Sequence, residues 1–166
     1  MIVLGIDPGT IAAGYGVVQH VRGSTRLVDC GAVRAKRSLS LAERLNVIHS
    51  GLQGVIARVG AEVAVVEEPF AGKNLATAIA IGEARGVALL ACSSVGLRVE
   101  EFSPSEIKRA VTGNGSARKE QVALMVRSIL ELEDVPGPAD ATDALAAAIC
   151  YLHRAPLREA TESGGR

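Results

Sequence analysis

The sequence has no tryptophan, and only two phenylalanines and two tyrosines among 166 residues. A core must therefore be built from Val, Ile, Leu and Ala, and an aromatic in a loop becomes conspicuous. Its three cysteines, Cys30, Cys92 and Cys150, are widely spaced and odd in number. They form neither a closed disulfide framework nor a zinc-ligand pattern, and read as small buried hydrophobes in a reducing compartment. No sign of charge is in excess: 18 Lys plus Arg face 18 Asp plus Glu. That balance argues against a nucleic-acid binder working by net charge, while leaving a local basic patch open. No stretch resembles a membrane span. Asp7 comes too early, with no basic segment before it, for a signal peptide. A cytoplasmic protein is expected.

The length suits one domain with a sizeable core. Three strands are expected first, at about Ile2–Asp7, Tyr15–His20 and Leu27–Arg34, punctuated by Pro8-Gly9-Thr10 and by Gly14 and Gly16. Helical spacing follows from Leu41 to Val59, with Ser40 and Glu43 as a capping box. Val63–Glu67 is short and nearly all apolar, as in a buried parallel strand. A helix from Asn74 to about Cys92, an outer strand Leu97–Phe102, and a helix opened by Ser103-Pro104 come next. After the break at Gly113-Asn114-Gly115, two more helices are expected at about Ser116–Leu132 and Ala139–His153. The tail 156–166 reads as disordered, leaving 1–155 as the domain. This order gives an α/β fold with a mixed five-stranded sheet flanked by helices.

Four carboxylates stand where a core does not want them. Asp7 ends one apolar run and Glu67 another, while Asp140 and Asp143 interrupt the otherwise apolar stretch Ala139–Ala148. Acids in apolar surroundings are costly unless protonated, paired or holding a cation. Two strand ends and one helix can gather them into a hard-cation site, where in-line phosphoryl transfer needs only oxygen ligands and spacing. Each acid also has a plain reading. Asp7 can simply start a turn before Pro8-Gly9. Either Glu67 or Glu68 can be the inward residue. Asp140 can cap a helix after Pro138; Asp143, three residues deeper on the same face, fits capping less well. None of the histidines, His20, His49 and His153, neighbours a candidate nucleophile.

The densest basic segment is Lys108, Arg109, Arg118 and Lys119 around Gly113-Asn114-Gly115-Ser116, suited to phosphates or to a solvated helix face. Arg34, Lys36 and Arg37 form a weaker cluster of the same kind. Phe70, in the small-residue loop Pro69–Asn74, either stacks on bases or plugs the loop into the core, with the plug slightly favoured. Small residues from Ala76 to Ala88 let their helix pack closely, on its own sheet or in a dimer seam.

As a set, Ile6-Asp7-Pro8-Gly9-Thr10 with Gly14-Tyr15-Gly16-Val17, Val66-Glu67-Glu68-Pro69-Phe70-Ala71-Gly72-Lys73-Asn74, Gly82-Glu83-Ala84-Arg85-Gly86-Val87 and Ala139-Asp140-Ala141-Thr142-Asp143-Ala144-Leu145-Ala146 resemble the bacterial RuvC-type Holliday-junction resolvases. The resemblance spans residues 2 to about 153. It implies an RNase H-like fold, a homodimer, and symmetric nicking of two opposed strands of a four-way DNA junction, leaving 5′-phosphate and 3′-hydroxyl ends. It implies Mg²⁺ or Mn²⁺, two per active site, on Asp7, Glu67, Asp140 and Asp143, and so selects Glu67 over Glu68. It turns Phe70 from plug to junction-contacting aromatic and matches Lys108 and Lys119 to DNA-contacting lysines. Lys73 and Arg118, in the same segments, complete the expected DNA-binding set. It also implies a branch-migration helicase complex of the RuvA and RuvB type as partner.

Three rivals remain at this level. An actin-like sugar kinase or ATPase shares an Asp-x-Gly-Thr phosphate loop but needs two lobes, and this length has room for one. An RNase H-like nuclease acting on RNA fits the same basic segment. A non-catalytic junction-binding dimer would have no use for four acids.

Overall fold

The computed structural model describes residues 1–68 and 75–163, with side chains as far as Arg154. Strands β1 (Ile2–Asp7), β2 (Ala12–Val21) and β3 (Ser24–Arg34) form an antiparallel meander. On the other side of β1, β4 (Val63–Glu67) and then β5 (Arg98–Phe102) add in parallel. The sheet order is β3-β2-β1-β4-β5, so β1 is central and the outer strand expected near Phe102 is indeed an edge. The helices are α1 (Leu41–Val59), α2 (Leu75–Ser93), α3 (Pro104–Thr112), α4 (Lys119–Leu130) and α5 (Ala139–Ser163).

Alternation along β1 and β4 divides the core in two. Val3, Val63 and Val65 face a layer completed by Phe102, Ile107, Val126, Leu145 and Ile149, under α3, α4 and α5. Leu4, Ile6, Ala64 and Val66 face Ile48, Leu52, Ala88 and Cys92, under α1 and α2. Both faces are covered, which is why these strands carry almost no polar residue.

Several boundaries differ from expectation for identifiable reasons. β2 and β3 are longer because only Arg22-Gly23 joins them, with φ of 50° and 82°. Positive φ at both positions is what a tight two-residue hairpin turn needs. Gly14 and Gly16, expected as punctuation, lie inside β2. α4 starts at Lys119 rather than Ser116 because Asn114 captures the preceding backbone. Its Oδ1 accepts from the Ser116 amide at 2.9 Å, and its carbonyl from the Ala117 amide at 3.1 Å. α4 stops at Leu130, where Glu131 turns left-handed at φ 55°. α5 continues to Ser163, through most of the segment expected to be a disordered tail; Pro156 deletes one amide donor without ending the helix.

The expected capping box of Ser40 with Glu43 forms on α1, and a second, not anticipated, pairs Ser103 with Glu106 on α3, where the expected Pro104 opens the helix. Glu106 also holds Arg154 of α5 at 2.6 Å, tying α3 to α5, and Arg154 stacks over the Phe102 ring at 5.2 Å. One expectation is corrected: α2 is long and apolar enough to cross a membrane by length and composition, with 22% of that window buried. Its alanines, together with scattered Leu, Ile and Val side chains, raise the mean hydropathy without forming one continuous bulky run. Ala84, Ala88, Ala91 and Cys92 are buried, and the helix packs on α1.

Candidate active site

The floor of the site follows from the strand period of two. Val3 and Val65 face the α5 layer, and counting on by two reaches Asp7 and Glu67. β1 and β4 are parallel with Ile6 opposite Val66, so both acids end side by side at the carboxyl edge of the sheet. Glu68 counts to the other face. Its amide donates to the Phe102 carbonyl at 2.8 Å, and its carboxylate lies 3.9 Å from Arg85. The geometry thus selects Glu67.

The third and fourth acids come from α5, which lies directly on strand backbone. Gly14 is opposite Asp7 in the β1–β2 register, and a Cβ there would collide with the Asp140 carbonyl oxygen. A Cβ on Gly5 would strike the Ala144 carbonyl oxygen. Bare backbone at these two positions lets the helix drop onto the sheet, with Asp140 and Asp143 above Asp7.

A cleft of about 210 Å³ results, lined by Asp7, Glu67 and Asp143, by Lys108 of α3 and Lys119 of α4, and walled by apolar groups including Ile107 and Val122. Lys119 Nζ donates to Asp143 Oδ2 at 2.7 Å. Asp140 does not line this cleft. Its carboxylate accepts from Arg34 of β3 at 3.2 Å, rather than capping its own helix. Among the described residues, no three His, Cys, Asp or Glu side chains are gathered closely enough to hold a metal ion as they stand. Three of the four acids, Asp7, Glu67 and Asp143, line one cleft, and Asp140 stands beside it, near enough for its charge to act on Asp7.

The charge balance inside the cleft is nevertheless negative. Burial, and then the carboxylates of Glu67, Asp143 and Asp140, push the Asp7 carboxyl up from 3.8 to about 7, against a smaller opposing effect of Lys119. Burial and Asp143 also raise Glu67, while Lys119 and Lys108 pull it down. The bond to Asp143 holds the Lys119 ammonium above its ordinary range. A site in which a carboxylate cannot comfortably ionise at neutral pH is short of positive charge, and a cation of charge two would supply it.

Of the expected DNA-binding residues, Lys108 and Lys119 enter the cleft, and Arg118 is exposed just before α4 without lining it. Phe70 and Lys73 lie outside the described residues. Reading by sequence undervalued Arg34, which looked like one member of a solvated basic cluster. Register alone places it: Ala12 pairs with Arg34 and Gly14 with Ala32, so Arg34 shares the α5 face.

Comparison with known proteins accounts for this arrangement. Residues 3–151 match the family described as crossover junction endodeoxyribonuclease RuvC. The chain belongs to the RuvC family. A RuvC from Chloroflexus aggregans is 49% identical over 156 residues, covering 94% of this chain and 95% of the relative. One from Moorella thermoacetica is 46% identical over 159 residues, covering 96% and 95%. Among solved structures, T. thermophilus RuvC in complex with Holliday junction substrate superposes with a TM-score of 0.88 at 36% identity, covering 95% of this chain and 96% of that one. The yeast mitochondrial Holliday junction resolvase Ydc2 shares the fold at 11% identity, with a TM-score of 0.68 and coverage of 95% and 80%. The expected RNase H-like architecture is thus the RuvC architecture.

Proposed function

We propose that this RuvC-family chain is a structure-specific endonuclease that resolves Holliday junctions in recombination and repair. It nicks two opposed strands symmetrically, leaving 5′-phosphate and 3′-hydroxyl ends. The single observation that carries the chemistry is the Asp7 cleft, where family-motif acids meet at the sheet's carboxyl edge with too little positive charge to neutralise them.

A cleft of carboxylates and lysines, with no histidine among its lining residues, needs a divalent cation for phosphodiester hydrolysis at neutral pH. The donors fit one: all are oxygens, the preference of Mg²⁺ and Mn²⁺. Asp7, Glu67, Asp140 and Asp143 would hold one or two such ions, which supply an activated water and screen the phosphate. The chain's own side chains do the rest. Lys108 and Lys119, flanking the acids, attract and neutralise the phosphate backbone. Ile107 and Val122 narrow the cleft and strengthen every charge interaction inside it. Phe70, Lys73 and Arg118 are assigned to DNA contact on the family motif.

A cut in each of two strands calls for two copies. α2 offers a surface for pairing: Leu75, Ile79 and Leu90 are 75%, 54% and 56% exposed, and the exposed Gly82 and Gly86 continue their line. We assign this apolar, low-relief stripe to a homodimer, working in the cytoplasm with a branch-migration helicase complex.

The deciding experiment incubates the purified chain with a labelled synthetic four-way junction, linear duplex and RNA–DNA hybrid, with and without Mg²⁺ or Mn²⁺. Paired, ligatable nicks confined to the junction and to the metal lanes are expected. Cleavage of the hybrid instead would move the chain to RNA processing, and tight junction binding without cuts would make it a binding module.

A further inference from the structure

We propose that Arg34 is a positioning residue that holds Asp140 at the rim of the cleft and must release it before the cation site is complete. The inference rests on the metal-dependent reading above and concerns how that site assembles.

Of the four acids, Asp140 alone does not line the cleft. It is nonetheless close enough for its charge to be felt at Asp7. What keeps it aside is the guanidinium of Arg34, at 3.2 Å from its Oδ2. Arg34 is the last residue of β3, and its register with Ala12 sets it on the face that α5 covers, two residues from the Ala32–Gly14 pair. The backbone of Asp140 is fixed by the contact between α5 and Gly14. Only its side chain is free to move between rim and cleft, by rotation about its own χ angles. In this proposal, latch and metal ligand are alternative positions of one carboxylate.

The pair is built to open. Its side chains are 58% and 39% exposed, which places it among solvent-screened ion pairs of small net worth. A doubly charged ion at Asp7 and Glu67 would attract a neighbouring carboxylate more strongly than one guanidinium does. Lys119 makes a parallel bond to Asp143, but from inside the cleft, where it also faces Asp7 and Glu67. Arg34 is outside the cleft lining and touches the chemistry only through Asp140. By holding one of the four carboxylates aside, it raises the cost of loading a metal.

The opposite arrangement is also concrete. Arg34 can keep its bond to one oxygen while the other ligates, in which case it orients Asp140 and aids metal binding. The sign of one measurement separates the two. Calorimetric titration of Mn²⁺ into the full chain, without DNA, compares wild type, Arg34→Ala, Asp140→Asn and the double variant. The latch requires Arg34→Ala to lower the Mn²⁺ dissociation constant by about two- to fivefold, the span of an exposed ion pair. It also requires the same change to have no effect in the Asp140→Asn background. Arg34→Lys, which keeps the charge and loses the planar fork, should fall between. An unchanged or weaker affinity in Arg34→Ala overturns the proposal in favour of an orienting or purely structural arginine. An equal gain in both backgrounds overturns it as well, showing a general field effect. Equal Mn²⁺ affinity in wild type and Asp7→Asn would instead sink the metal reading, and with it the premise of the latch.

Discussion

Asp7 is the residue on which most of the chemistry turns. Asp7→Asn keeps the shape of the floor and removes its central charge, so junction binding should survive while the nicking rate falls at least about a hundredfold. A gel-shift and a cleavage assay on the same preparation check both halves. The same residue makes the metal-free protein sensitive to pH. Its folded carboxyl sits at about 7 against 3.8 when unfolded, so the folded state holds its proton more tightly throughout that window. Stability should therefore be full below pH 3.8 and decline as pH rises towards 7, by on the order of 2–4 kcal/mol. Denaturant titrations in EDTA should show this slope in wild type and lose most of it in Asp7→Asn. Glu106 acts oppositely in a separate window. Its bonds to Arg154 and Ser103 pull it down from 4.5 to about 2, so their stabilisation is present above 4.5 and lost as pH falls towards 2. The acids were legible in the sequence because each interrupts an apolar run. Arg34 was not, because an arginine at a strand end looks the same whether it faces water or a helix that arrives a hundred residues later.

At the scale of elements, the contact that matters is α5 on β1 and β2. Gly5→Ala or Gly14→Ala adds one methyl group against the backbone of α5, which cannot yield as a side chain would. Each should cost about 1–3 kcal/mol in denaturant unfolding. Each should also lower the nicking rate, because the helix that is pushed away carries Asp140 and Asp143. Gly54, mid-helix in α1 with open space around it, is the control: Gly54→Ala should stabilise by about 0.5–1 kcal/mol and leave cleavage unchanged. Strand and helix identities were readable because β1 and β4 are apolar up to their closing acids, α1 announces itself with a capping box and α3 with a proline in its first turn. What was misread were the glycines of β2. In a local reading they break strands; their use as a seat for a distant helix exists only once the chain has folded. The start of α4 was misplaced for a similar reason, since Asn114 competes for backbone amides that composition alone would assign to the helix.

At the scale of the whole molecule, α2 stands out, because its Leu75, Ile79 and Leu90 are more than half exposed among the described residues. Ile79→Glu should convert the protein from dimer to monomer in light scattering without loss of helical signal. Paired cuts on one junction should then give way to slow, unpaired nicks; a dimer of unchanged stability would remove α2 from the interface. Fold class and sheet composition followed from element order alone, whereas this surface did not, because small residues serve a sheet or a second copy equally well. β1 and β4 are synthesised before the α5 layer that covers one face of the sheet and brings two of the four acids. A product ending before Ala139 would lack Leu145, Ile149 and both helix acids together. Premature termination should then yield an unfolded fragment for proteolysis, rather than a folded but inert protein that occupies junctions and blocks the intact enzyme.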